Sequence, residues 1–144
     1  MNVDDIVQNE WRSLGFYYDR DDELHAWRLM GTREGLMRFP KLLRAFAGEP
    51  KNQAKSEHGH YGPHCYLKVM SWPDPGVGRN AIHGTPGDLV KLAEIAELTI
   101  RELQTGEIAE ISEQYVGTAE YKLELHCVSE KDPSSLDSSL KNGG

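Results

Sequence analysis

Apolar and polar residues alternate most regularly over residues 120–128. The apolar positions fall on every second residue, at Tyr121, Leu123, Leu125 and Cys127, and charged or polar residues fill the positions between them. Alternation with a period of two is typical of a strand with one face on a core and the other in water. The sequence therefore predicts a strand here, with the Cys127 thiol buried.

Similar patterns predict further strands. In residues 65–72, Cys65 shares a face with two apolar residues, so we expect its thiol to lie in the core as well. The acidic residues 19–22 predict a hairpin turn between two strands. The remaining strand predictions are 11–19, 23–30, 81–83 and 110–116.

Two stretches repeat apolar residues with the period of a helix. The first begins at Thr85, a capping hydroxyl, with Pro86 at the first helical position and Asp88 three residues after the cap. Its apolar residues follow at helical spacing to residue 103. The second predicted helix covers residues 32–47, and because Pro40 lacks an N–H we expect this helix to kink or to start late.

The order of these elements predicts an α+β fold. We expect a two-layer α/β sandwich with a mainly antiparallel sheet and two helices on one face, either ferredoxin-like or a less regular α+β sandwich. Residues 1–128 are predicted to form a single domain. Residues 129–144 are rich in serine and poor in bulky apolar residues. Such a segment buries too little surface to offset its ordering entropy, so it is predicted to be a disordered C-terminal tail.

Composition and charge narrow the classes of function. The 144 residues include 16 Lys and Arg against 23 Asp and Glu, a formal net charge of −7. This acidic balance argues against a nucleic-acid partner, which would need a basic face. No apolar run approaches the roughly 20 residues needed to cross a membrane. Two cysteines and an acidic beginning lead us to expect a cytoplasmic protein rather than a secreted one.

Histidines concentrate in one short stretch. His58, His60 and His64 lie within seven residues and precede Cys65 directly. Imidazole and thiolate are the ligands that zinc prefers, but the spacing lacks the two well-separated ligand pairs of strong zinc motifs. We therefore expect an exposed polar loop and no cofactor, with a zinc site or a metal-dependent enzyme using these histidines as the alternative. A weak anion site over residues 76–85 is a third hypothesis.

Charged residues offer candidate partner contacts. Residues 1–35 carry eight acids against four basic residues, and an acidic surface attracts a basic partner. No nucleophile-elbow motif is present, which favours binding over catalysis. The aromatic residues among the first 27 are expected to close the core across a hairpin. An exposed leucine on the helix predicted after Thr85 leaves a homodimer open. The predicted partner-binding residues are Asp19, Asp21, Asp22, Glu23, Glu94 and Leu98.

Several short stretches resemble one family of proteins. They are Arg-Glu-Gly-Leu-Met at 33–37, Leu-Leu-Arg-Ala-Phe at 42–46, Gly-Pro-His-Cys-Tyr-Leu-Lys at 62–68, and His-Gly-Thr at 83–85 before Asp-Leu at 88–89. Together they are similar to small bacterial immunity proteins of polymorphic toxin systems. The resemblance implies a protein that binds and neutralises a cognate toxin, and it implies no catalytic residues. We therefore expect a non-enzymatic, immunity-like binding protein that neutralises a basic protein partner.

Overall fold

The computed structural model describes residues 2–140. Its α-helices are α1 (Val3–Leu14), α2 (Arg33–Leu36), α3 (Arg38–Gly48), α4 (Pro86–Glu102) and α5 (Ser112–Val116). Its strands are β1 (Tyr17–Asp21), β2 (Ala26–Gly31), β3 (His58–Tyr61), β4 (Leu67–Ser71), β5 (Gly76–Val77), β6 (Ile82–Gly84), β7 (Ile108–Glu110) and β8 (Lys122–Cys127). Short 3-10 turns cover Pro50–Gln53 and Pro133–Leu136. The predicted α+β class is confirmed.

The strands form two four-stranded sheets where one was expected. Sheet A has the order β1-β2-β8-β7, and sheet B has the order β3-β4-β6-β5. In each sheet a central parallel pair is flanked by two antiparallel edge strands. Most pairings are therefore antiparallel, as predicted. The single sheet of a ferredoxin-like arrangement does not form, because the strands between residues 58 and 84 pair with one another and not with β8.

One hydrophobic core joins both sheets to the helices. The inner face of sheet A contributes the buried Trp27 and Leu123, and the indole N–H of Trp27 donates to the Gly78 carbonyl, 3.0 Å away, in the turn after β5. The buried stripe of α4 follows the predicted spacing, and its capping box between Thr85 and Asp88 is formed. The buried residues of α4 are Leu89, Leu92, Ala93, Ala96 and Ile100.

Helix α1 occupies residues 11–14 of the stretch for which a strand was predicted at 11–19. The Asn2 side chain accepts from the Asp5 N–H at 2.9 Å, which satisfies one of the free donors at the helix start. Gly15 ends the helix with a left-handed φ of +93°. The alternation over 11–19 misled because Trp11 is buried from a helix rather than from a strand, and the strand begins only at Tyr17.

Two further elements differ from the predictions in informative ways. The helix predicted over 32–47 divides at Met37 into α2 and α3, which places Pro40 in the first turn of α3, where its missing N–H is tolerated. The strand predicted within 110–116 is wrong, because β7 ends at Glu110 and residues 112–116 form α5. The Glu110 carboxylate accepts from the Glu113 N–H at 3.2 Å, which favours a helix start over a continued strand.

The C-terminal segment, residues 129–140, is packed on α1 and does not match the predicted disordered tail. The buried indole N–H of Trp11 donates to Asp137 at 2.8 Å, and Arg12 pairs with Asp132 at 2.9 Å. Leu140 is buried. The segment was predicted to be disordered because it has few apolar side chains to bury. Its hydrogen bonds and ion pair with α1 hold it in place instead. Residues 141–144, the rest of the predicted tail, lie outside the described residues.

Candidate functional site

The acidic residues before and in the β1–β2 turn are largely neutralised by neighbouring arginines. Asp19 and Asp21 lie on β1, so the turn predicted at 19–22 is found at residues 22–25 instead. Arg28 donates two parallel hydrogen bonds to Asp19, at 2.7 and 3.0 Å, and lies 3.6 Å from Asp21. Asp21 also accepts from the backbone N–H groups of Glu23 and Leu24, which fixes the turn itself. These carboxylates therefore hold the hairpin together, and little of their charge is left for a partner.

Asp22 is engaged even more extensively. It accepts from the Tyr121 hydroxyl at 2.7 Å and from Arg20 at 2.8 Å, and Arg79 lies 3.3 Å away. The hydrogen bond from Tyr121, followed by that from Arg20, lowers the pKa of Asp22. Of the predicted acidic contacts in this turn, Glu23 is exposed at the tip.

The other predicted partner contacts lie on α4. Glu94 and Leu98 are one helical turn apart and exposed, and Leu98 retains 63% of its surface in water. The neighbouring Glu97 is paired with Arg44 of α3 at 2.7 Å. This part of the surface is bordered by α3, whereas Arg79 and Tyr121 hold the acidic turn. The predicted contacts on α4 and those near the β1–β2 turn therefore lie on separate parts of the surface.

The aromatic residues near the start of the chain do not form a docking surface. Trp11, Phe16, Tyr18 and Trp27 are buried, as the interpretation of a closed core predicted. Tyr18 contacts the loop between β3 and β4. Its hydroxyl lies 2.8 Å from the Tyr61 carbonyl and 2.7 Å from the His64 carbonyl. Burial raises the pKa of Tyr18, so the hydroxyl stays protonated and serves as a donor.

This contact positions the loop between β3 and β4. Gly62 has a left-handed φ of +87°, and a Cβ at this position would meet the Tyr18 ring at 2.3 Å. The loop therefore lies directly on Tyr18, with its backbone held by the hydroxyl. A polar group within the core thus fixes the β3–β4 hairpin beside α1.

The three histidines of the sequence cluster do not converge. His58 and His60 lie together on β3, with ring centroids 4.8 Å apart. His64 lies instead 3.5 Å from Asp137 of the C-terminal segment. Cys65 precedes β4 and is exposed, with a φ of +43°, so its predicted core position is wrong, while Cys127 is buried as predicted. Among residues 2–140 no three metal-ligating side chains cluster.

A groove with a volume of about 630 Å³ lies between α1 and the β3–β4 hairpin. Ile6 stands on the α1 wall and Tyr66 on the hairpin wall, and these apolar side chains are 46% and 55% exposed. The described residues that line the groove are Ile6, Asn9, Glu10, Ser13, Leu14, His60, Tyr61, Gly62 and Tyr66. We call this surface the α1 groove.

The helix wall of the α1 groove includes one acidic lining residue. Glu10 lines the groove, and Asp4 and Asp5 stand in the first turn of α1. The basic side chain of α1, Arg12, is directed to Asp132 of the C-terminal segment and is neutralised there. The pairing with Arg12 lowers the pKa of Asp132 to about 2. The groove therefore presents apolar side chains next to the carboxylate of Glu10.

The sequence reasoning missed this groove because it assigned residues 11–19 to a strand and residues 3–10 to no element, whereas α1 covers residues 3–14. On the surface of α1, Val3, Ile6 and Glu10 form one stripe, and the buried Val7 and Trp11 form another. The spacing of four residues between Val7 and Trp11 was the sequence signal that could have indicated a helix here. The groove also needs the hairpin wall, and that contact over some sixty residues leaves no local trace in the sequence.

Comparison with known proteins adds no relative. No family model, curated protein or solved structure matches the chain. The resemblance to immunity proteins therefore stays a prediction. None of the described helices combines the length and the apolar composition needed to cross a membrane.

Proposed function

We propose that the chain is a non-enzymatic binding protein that captures a basic protein partner in the α1 groove. Capture there would neutralise the partner by covering its surface, in the manner expected of an immunity-like protein. The observation that carries the proposal is the pairing of exposed Ile6 and Tyr66 on opposite walls of one groove. Large apolar side chains that remain exposed around a concavity are typical of interaction sites.

The apolar walls supply an anchor for affinity. Full burial of a side chain such as isoleucine contributes roughly 1.5–3 kcal/mol, which corresponds to about a tenfold to hundredfold gain in affinity. Tyr66 adds an aromatic ring, a residue type enriched among the side chains that dominate binding energy. A partner that inserts an apolar side chain between Ile6 and Tyr66 would bury both.

Charge selects the partner class. Glu10 lines the groove and Asp5 is exposed on the preceding turn of α1, whereas Asp19, Asp21 and Asp22 are already paired with arginines. The net charge of −7 adds a long-range attraction for basic proteins. These features favour the α1 groove over the predicted acidic turn as the docking surface.

Site-specific photocrosslinking tests this proposal. A photoreactive phenylalanine analogue replaces Ile6, Tyr66, Leu24 or Leu98, one at a time, in the cells that produce the protein. All four side chains are exposed, so the substitutions leave the core intact. Leu24 marks the acidic turn and Leu98 marks α4, which makes them matched controls for the competing surfaces.

We expect covalent adducts to one basic protein from positions 6 and 66, and weaker or no adducts from positions 24 and 98. Adducts from position 24 or 98 alone would assign the partner to the turn or to α4 instead. Adducts to a second copy of this chain would indicate a homodimer. An acidic partner, or no adduct at any position, would also contradict the proposal.

A further inference from the structure

We propose that His58 and His60 form a two-imidazole site for a divalent transition-metal ion of zinc-like chemistry, with water completing the coordination. The site lies on β3, an edge strand of sheet B. It differs from the predicted three-histidine site, because His64 is directed elsewhere. The inference does not depend on the proposed partner.

The spacing of the two rings fits one metal ion. Residues two apart on a strand project from the same face, and the His58 and His60 ring centroids are 4.8 Å apart. Metal–nitrogen bonds of about 2.0–2.1 Å in tetrahedral geometry place the centroids of two ligating imidazoles about 5 Å apart. The rings are therefore already close to the separation that a shared ion requires.

Each ring is held by a neighbour that leaves a nitrogen available. The Nδ1–H of His58 donates to the Ser56 carbonyl at 3.0 Å, which leaves the lone pair of Nε2 directed away from the backbone. A backbone carbonyl on the second nitrogen is the usual support of a metal-ligating histidine. The His60 ring stacks on Tyr66 at a centroid distance of 5.3 Å, which restricts its orientation.

Both rings are also accessible to an ion from solvent, because His58 and His60 are exposed. Neither ring takes part in the carboxylate contacts that occupy His64 and His126. An exposed imidazole pair can bind a metal without displacing an internal ion pair. Two protein ligands leave coordination positions open, which suits a labile ion rather than a buried structural one.

The neighbouring histidines are natural controls. His83 lies on the same face of sheet B, but Met70 stands between it and His58 in the strand register. Two strand spacings separate them by about 10 Å, which is too far for one ion. The His83 Nδ1 is also 2.7 Å from the Asp74 carbonyl. His83 and His64 therefore should not contribute to zinc binding.

Calorimetric titration with zinc chloride tests the site. The protein is freed of any affinity tag, and His58→Gln, His60→Gln, His64→Gln and His83→Gln are compared with the parent chain. We expect one zinc ion per chain, a loss of about tenfold or more in affinity for His58→Gln and for His60→Gln, and no change for the other two. Copper(II) paramagnetic resonance should show nitrogen coordination that is lost in the double variant His58→Gln, His60→Gln.

Several results would overturn the proposal. Zinc binding by the parent chain that equals binding by the double variant would show that these rings are not ligands. A loss in His64→Gln or His83→Gln would place the ion elsewhere. Ile6→Ala serves as the control for the α1 groove, since His60 also lines it. Zinc affinity that survives Ile6→Ala, together with a normal circular dichroism spectrum for every variant, separates metal binding from partner binding.

Discussion

Replacing Asp137 with alanine is expected to destabilise the protein by about 2–3 kcal/mol. Asp137 is buried and accepts the indole N–H of Trp11 at 2.8 Å, while Ser139 donates to it from its backbone and its hydroxyl. Burial raises the pKa of Asp137, but the bonds from Ser139 and Trp11 outweigh burial and lower that pKa overall. The carboxylate is therefore charged at neutral pH and forms charge-assisted hydrogen bonds.

The size of this loss in stability is set by the hydrogen-bond donors that Asp137→Ala leaves without an acceptor. Hydrogen bonds to a charged group contribute about 1.5–3 kcal/mol. The substitution also leaves the Trp11 N–H without its acceptor at a residue only 1% exposed, and an orphaned buried donor costs about 1–3 kcal/mol. These contributions overlap because they describe the same bond. For a chain of this size the loss corresponds to a fall of about 5–10 °C in the melting temperature.

Urea unfolding followed by tryptophan fluorescence measures the effect. Asp137→Asn keeps an acceptor for the Trp11 indole and should lose about 1 kcal/mol, and Ser138→Ala, at an exposed neighbour, should lose less than about 0.5 kcal/mol. If Asp137→Ala were no less stable than Ser138→Ala, the C-terminal segment would not be packed on α1. The disordered tail expected from composition would then be the better description.

Two further predictions concern single groups. Arg12 lowers the pKa of Asp132 to about 2, so the contribution of Asp132 to stability is present above about pH 4 and is lost as the pH falls toward 2. Because the Asp132 side chain is 35% exposed, screening by solvent limits this contribution to about 1 kcal/mol or less. The difference in unfolding free energy between the parent chain and Arg12→Gln should therefore be larger at pH 6 than at pH 2.5. Cys65 is exposed and Cys127 is buried, so a thiol-specific reagent should modify one cysteine per native chain and two after denaturation. Two fast-reacting thiols in the native chain would contradict the buried position of Cys127.

The elements that the sequence predicted well are those whose signal is local. The alternation around Leu123 and Leu125 defines β8, and the capping residues Thr85 and Asp88 define the start of α4. In both cases a regular pattern and a boundary signal agree, and tertiary packing reinforces them. Pro40 likewise marked the division of the predicted helix because its missing N–H acts within one turn.

The parts that were missed depend on contacts between distant residues. The C-terminal segment is ordered by bonds from Trp11 and Arg12, more than a hundred residues earlier in the chain. The acidic residues near the β1–β2 turn were predicted to be a docking surface. Arg79, which pairs with Asp22 there, is more than fifty residues away in sequence, so the sequence did not show this pairing. Composition counts charges but does not show which charges are paired. The α1 groove likewise depends on the contact between α1 and the β3–β4 hairpin, which are some fifty to sixty residues apart in the chain.

The affinity of the crosslinked partner for variants of the α1 groove tests the central claim most directly. We predict that Ile6→Asp weakens partner binding by about tenfold or more, that Leu98→Asp changes it less than about twofold, and that affinity for the parent chain falls as salt is raised. Circular dichroism spectra that match the parent chain would confirm that both variants are folded. Unchanged affinity in Ile6→Asp, with a large loss in Leu98→Asp, would contradict capture in the α1 groove.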